Sequence, residues 1–160
     1  MNVAKELAAL ERMTVGELAF AVLRSQFGAF LEHEPGARLG EDPEEIHDMR
    51  VATRRLRATL EIFEPCFPAK AYGQALTEVK RLADALGERR DRDVAIAALH
   101  NFNDQMAAPD RRGVASLIEQ LRGEQQRANE DLAPLVSEDN LKALRESMDE
   151  LVRGAAAAAA

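Results

Sequence analysis

The fold and the charge pattern of the chain are set by one stretch, His47-Asp48-Met49-Arg50-Val51-Ala52-Thr53-Arg54-Arg55-Leu56-Arg57. On a helix that turns about 100° per residue, His47, Arg50, Arg54 and Arg57 fall within an arc of about 80°. The opposite side carries Met49, Ala52, Thr53, Leu56, Thr59, Leu60 and Phe63. The stretch therefore predicts an amphipathic helix that packs with one face and presents a basic stripe on the other.

Cap signals and helix breakers on both sides of this stretch predict further helices. Thr14 and Glu17 form a capping-box pattern, and Asp42-Pro43 marks the start of the basic helix. Gly87 predicts a helix end, followed by a charged connector, Glu88-Arg89-Arg90. The predicted helices cover about 14–34, 42–63, 69–86, 91–106, 109–132 and 137–154. We therefore predict an all-α bundle of about five to six helices with mostly short connections.

Length and composition indicate a single domain. The chain has 160 residues, is rich in Ala and Leu, and contains only 4% aromatic residues, which favours packed helices over a sheet. We assign residues 1–154 to this domain and draw nothing from the alanine run 155–160. The single cysteine, Cys66, excludes a disulfide framework and a multi-cysteine metal site. Without a signal-peptide pattern or an apolar run of about 20 residues, we expect a cytoplasmic protein with no cofactor.

The basic stripe indicates an extended, phosphate-rich polyanion as ligand. It spans about 15 Å of helix axis. Guanidinium groups form paired, charge-assisted hydrogen bonds with phosphate, His47 adds a donor, and Arg55 lies beside the stripe. Between His47 and Leu60 the only acidic residue is Asp48, whereas an ordinary solvated helix face mixes acidic and basic residues. The net charge of −7 opposes such a ligand, but distant charges are screened beyond about 8 Å.

A second set of basic residues follows at Lys80, Arg81, Arg89 and Arg90. The last two lie in the predicted connector, just before a predicted helix start, where free backbone N–H groups attract anions. The carboxylates of Glu88, Asp91 and Asp93 are equally near in the sequence, so internal ion pairing is an open alternative for this segment.

The two sets of basic residues resemble the CHAD family, the conserved histidine α-helical domains. The resemblance rests on five short motifs between about Thr14 and Leu99: His47–Val51, Arg54–Arg57, Leu86-Gly87, Arg90-Asp91 and Asp93-Val94. It implies a helical domain that binds inorganic polyphosphate through basic residues along a groove, often at polyphosphate granules. The matching positions are His47, Arg50, Arg54, Arg55, Arg57, Lys80 and Arg90, whereas Arg81 and Arg89 match less well.

One departure from the family concerns length. Members commonly have two similar helical halves, and no second basic helix of this kind follows Leu99. The resemblance therefore implies either a fragment or a half-length member. In the second case we expect that a homodimer replaces the missing half, because a two-fold interface pairs identical surfaces.

Three other functions are weaker alternatives. A nucleic-acid ligand shares the same electrostatics, but the rest of the chain is acidic and no aromatic side chain near the arginines offers a stacking surface. A structural helical adaptor would bind no polyanion at all. Glu44 and His47 have the Glu-x-x-His spacing of di-iron bundles, but a second such pair is absent, so we expect no metal-dependent phosphohydrolase. Because catalytic motifs are also missing, we expect a binding protein and not an enzyme.

Overall fold

The computed structural model describes residues 13–33, 42–107 and 109–158. Over these ranges the chain forms five α-helices and one short 3₁₀ helix, with no strand. The elements are α1 (Val15–Glu32), α2 (Pro43–Ile62), the 3₁₀ helix (Glu64–Cys66), α3 (Ala69–Gln105), α4 (Arg111–Leu132) and α5 (Glu138–Ala158). The predicted all-α fold is confirmed. No helix in the described ranges combines the length and the apolar character that a membrane crossing requires.

The first two helices begin where the cap signals predict. The Thr14 side chain accepts a hydrogen bond from the Glu17 backbone N–H at 3.2 Å, and the Glu17 carboxylate accepts one from the Thr14 N–H at 2.7 Å. At the start of α2, Asp42 accepts from the Glu44 N–H at 2.8 Å, and Pro43 occupies the first turn. These bonds satisfy N–H groups that have no partner within the helix, so each cap fixes where its helix starts.

The predicted helix end at Gly87 is wrong. The helix α3 runs without interruption through Gly87 and the expected connector, over 37 residues or about 55 Å. A glycine inside a helix costs about 1 kcal/mol relative to alanine. Side chains buried on both sides of it, Leu82 and Leu86 before and Arg89 and Asp93 after, hold the backbone helical and offset that cost. The predicted helices 69–86 and 91–106 are therefore one element.

The predicted end of the last helix near Gly154 is also wrong, since α5 continues to Ala158. Gly154 lies directly against the ring of Pro68, where a Cβ atom would collide with it. The glycine therefore permits a close approach between α5 and the start of α3. The alanines that follow extend the helix because alanine has the highest intrinsic helix propensity.

The main core lies between α1, α2, the first half of α3, and α5. Its largest fully buried side chains include Phe30 of α1, Leu56 of α2, Leu86 of α3 and Leu144 of α5. The helix α4 packs along the second half of α3 and runs antiparallel to it. The described residues thus form a four-helix core and a two-helix extension, which consists of the second half of α3 together with α4.

The inner face of α2 contains the residues that the periodicity predicts. Six are buried and Phe63 packs partly buried against the core; the six are Met49, Ala52, Thr53, Leu56, Thr59 and Leu60. The two threonines donate to backbone carbonyls one turn earlier, Thr53 to Met49 at 2.7 Å and Thr59 to Arg55 at 2.9 Å. Their hydroxyls are thereby satisfied in an apolar setting. This packing fixes the direction in which the arginines of α2 project.

Candidate polyanion site

Three arginines of α2 line a groove between α2 and α3. Arg50, Arg54 and Arg57 form one wall of this α2–α3 groove, which has a volume of about 470 Å³. The other wall consists of α3 residues: Ala83, Asp84, Gly87, Glu88 and Asp91. Ala83 and Gly87 are small, and the Arg50 Nε atom lies 3.9 Å from the position that a Cβ of residue 87 would occupy. The small residues of α3 therefore leave space for the guanidinium groups beside the helix.

The arginines of the groove differ in their ion pairing. Within residues 13–33, 42–107 and 109–158, no carboxylate forms an ion pair with Arg50, Arg54 or Arg55. Arg57 Nε, in contrast, donates to Glu61 Oε1 at 3.0 Å. The middle of the stripe thus has no direct counter-ion among the described residues, whereas Arg57 at its C-terminal end is paired with Glu61.

Lys80 joins the site at this C-terminal end. Its ammonium group lies 3.8 Å from the same Glu61 oxygen that accepts from Arg57, so one carboxylate connects α2 and α3. All three side chains are about two-fifths exposed. The hydrogen bond from Arg57 is the main reason why the pKa of the Glu61 carboxyl lies below its ordinary value. Glu61 is therefore ionised at neutral pH and forms ion pairs with both Arg57 and Lys80.

Arg90 is held at the N-terminal end of α2. Its guanidinium donates to the Pro43 carbonyl at 3.1 Å and lies 3.8 Å from the Glu44 carboxylate, with the side chain 19% exposed. The sequence left internal pairing open for this segment, and Arg90 does pair, although with a carboxylate of another helix. The connector that would have placed Arg90 before a helix start does not exist, because this region lies inside α3.

Arg89 lies away from the groove, and because its side chain is buried it cannot contact a ligand there directly. It is 3% exposed and forms a buried ion pair with Asp93. It also donates to the Asn129 side chain of α4, and Gln125 donates to Asp93 at 2.6 Å. These contacts give Arg89 a structural role between α3 and α4, and the prediction that it contacts a ligand does not fit its buried position.

The remaining predicted residues are not among those that line the groove. Arg55 is exposed and lies with Arg54 around a shallow depression on the outer surface of α2, so Arg54 borders both surfaces. Arg81 is exposed on α3, one residue after Lys80. His47 is half-buried about one turn before Arg50. The structure therefore brings three of the predicted residues into one groove, whereas Arg55 lies on the outer surface of α2 and Arg89 is buried between α3 and α4.

The sequence did not predict that the carboxylates of Asp84, Glu88 and Asp91 face the basic stripe across one groove. They share one side of α3 only because that helix is continuous. A predicted break at Gly87 separates Asp84 from the other two and hides the pattern. The spacing of four and then three residues is the signal that would have revealed it.

Glu44 and His47 form no metal site with a third ligand, since the described residues contain no cluster of three metal-binding side chains.

The arrangement favours a narrow anion that lies against α2. Guanidinium groups one turn apart offer forked donors to successive anionic groups, whereas the carboxylates on α3 repel any anion that fills the groove completely. The two walls of the groove therefore carry opposite charge: the arginines of α2 attract phosphate and the carboxylates of α3 repel it.

Comparison with known proteins identifies the family. The family model described as the CHAD domain matches residues 21–160. The chain belongs to the CHAD family. Domains of this family in general bind ligands of the polyphosphate type. No curated protein matches the chain.

The CHAD match extends the resemblance seen in the sequence. The range from Thr14 to Leu99, in which the motifs lie, includes α1, α2 and most of α3. The family match continues through α4 and α5. The two-helix extension and the last core helix are therefore part of the CHAD domain. The helices that form the α2–α3 groove lie entirely within the matched residues.

Proposed function

We propose that this CHAD domain binds inorganic polyphosphate in the α2–α3 groove. Arg50, Arg54 and Arg57 would form the central contacts. Residues at the edge of the groove would add to the attraction: His47, Arg55, Lys80, Arg81 and Arg90. The observation that carries the proposal is the projection of three guanidinium groups from neighbouring turns of α2 into one groove, where two of them have no carboxylate partner within the described ranges.

The energetics support binding of a long chain over a single phosphate. One charge-assisted hydrogen bond contributes about 1.5–3 kcal/mol net. Successive phosphates of one chain engage several arginines, while the entropy of association is lost once. Neutralising several phosphates also releases condensed counter-ions, so affinity falls steeply as salt rises. An acidic protein can therefore bind a polyanion where the local charge is positive.

We infer that the domain is a binding module and not an enzyme. The groove offers arginines that can hold phosphate, and the rest of its described lining consists of acidic, alanine and glycine side chains, with no histidine or cysteine. Its function would then be to hold polyphosphate in the cytoplasm, where polyphosphate granules are the natural location of such a ligand.

Nucleic acid is the second candidate ligand, and the groove favours it less. The residues described as lining the groove include no aromatic side chain on which a base could stack. The carboxylates of Asp84, Glu88 and Asp91 oppose a ligand that is wider than a single phosphate chain. Polyphosphate carries its charge without bulky groups and fits between the two walls.

A titration with a competitor tests this proposal. Polyphosphate labelled at one end should bind the domain, and RNA with the same number of phosphates should displace it only at large excess. Incubation should release no orthophosphate. Easy displacement by RNA would support the nucleic-acid function, and steady phosphate release would show an enzyme.

We also propose that two copies associate in solution. The two-helix extension exposes large apolar side chains, with Val94 52%, Phe102 54% and Leu117 44% exposed. Covering such side chains stabilises an interface. Light scattering should give the mass of a dimer, with or without polyphosphate, and Phe102→Ser should shift the equilibrium toward the monomer. A strict monomer in both conditions would reject the dimer.

A further inference from the structure

Among the residues that the structure describes, the cations around the groove form ion pairs at both ends and none in the middle. At one end Glu44 lies beside Arg90, and at the other Glu61 holds Arg57 and Lys80. Between these ends, Arg50 and Arg54 have no ion pair with any carboxylate in the described part of the chain. A ligand can therefore contact Arg50 and Arg54 directly. To contact Arg57, Lys80 or Arg90, it must compete with a carboxylate of the protein.

The position of Glu61 is not explained by the stability of α2. It is the second-last residue of the helix, where the partial negative charge of the helix end disfavours a carboxylate. Its two ion pairs involve side chains that are about two-fifths exposed, and such pairs contribute little to folding. The effect of Glu61 is instead to neutralise two cations, Arg57 and Lys80, at one end of the groove.

We propose that Glu61 is an internal competitor for phosphate and gives the groove a dependence on polyphosphate chain length. This inference rests on the proposed function. Along the axis of α2, Arg54 lies about 6 Å from Arg50, and Arg57 lies about 4.5 Å further on. A short phosphate contacts Arg50 and Arg54 and leaves Glu61 in place. A longer chain reaches Arg57 and Lys80 and must first displace the Glu61 carboxylate.

The variant Glu61→Gln tests this directly. It keeps the shape of the side chain and removes the charge that competes with phosphate. Since exposed ion pairs contribute little, we expect an increase of about threefold to tenfold in affinity for long-chain polyphosphate. Affinity for pyrophosphate should stay within about twofold of the wild type, because it binds at Arg50 and Arg54, where no described carboxylate competes, and from there does not extend the further distance of about 4.5 Å to Arg57. Isothermal titration with both ligands measures the two effects.

The matched control is Glu119→Gln. Glu119 is an exposed glutamate paired with Arg122 at 2.7 Å on α4, outside the groove, so this variant makes the same change in net charge. Equal affinities of the two variants for the long chain would overturn the role of Glu61. An equal gain for pyrophosphate and long chains in Glu61→Gln would overturn the chain-length dependence. If the wild type binds neither ligand, the proposed function itself fails.

Discussion

Replacing Arg50, Arg54 and Arg57 together with alanine should abolish polyphosphate binding and leave the protein helical. The three side chains line one groove and point away from the buried face of α2. At about 1.5–3 kcal/mol for each lost charge-assisted contact, affinity should fall by at least about a thousandfold. Alanine preserves the helix because its helix propensity is higher than that of arginine. Fluorescence titration and circular dichroism measure the two outcomes.

A control with the same net charge separates local contacts from overall electrostatics. Arg24, Arg112 and Arg153 are exposed and lie outside the groove lining, on α1, α4 and α5. Replacing these three with alanine should lower affinity by no more than about threefold at physiological salt, where distant charges are screened. Normal binding by the groove variant would show that the groove is not the site, whereas equal losses in both would indicate a nonspecific charge effect.

Replacing Arg89 with methionine should strongly destabilise the fold and leave polyphosphate affinity unchanged within about twofold. The substitution leaves the buried Asp93 carboxylate without its cation, which typically costs about 3–5 kcal/mol. Urea unfolding should therefore show a large decrease in the free energy of unfolding. Binding is measured at low temperature, where the variant is still mostly folded.

The double variant Arg89→Met with Asp93→Leu is the control for this prediction. Replacing a whole buried ion pair by apolar side chains is often neutral, so the second substitution should recover part of the lost stability. Gln125 and Asn129 lose their partners in the double variant, which limits the recovery. If Arg89→Met keeps full stability but loses polyphosphate, Arg89 is a ligand contact after all.

The orientation of α2 could be predicted from the sequence because several local signals coincide there. Asp42 and Pro43 fix its start, and the apolar residues from Met49 to Leu60 repeat with a single helical phase. Once that phase is known, the direction of Arg50, Arg54 and Arg57 follows from geometry alone. Family resemblance and periodicity therefore pointed to the same face.

The second half of the site could not be predicted, because it depends on contacts far apart in the sequence. Gly87 is a local signal for a helix end, but packing on both sides keeps α3 continuous. Arg89 and Arg90 are adjacent and chemically identical, yet Asn129 of α4 binds the first and Pro43 of α2 binds the second. Which arginine is buried is decided by the positions of α2 and α4 around α3, and no short motif encodes those positions.

The dependence of polyphosphate affinity on salt tests most directly whether Arg50, Arg54 and Arg57 contact one ligand together. Each arginine that neutralises a phosphate contributes about 0.7–0.9 to the slope of log affinity against log salt concentration. We predict that Arg50→Ala, Arg54→Ala and Arg57→Ala each reduce the wild-type slope by roughly that amount, whereas Arg112→Ala leaves it unchanged. A slope in the three groove variants equal to that of the wild type would contradict binding of polyphosphate in the α2–α3 groove.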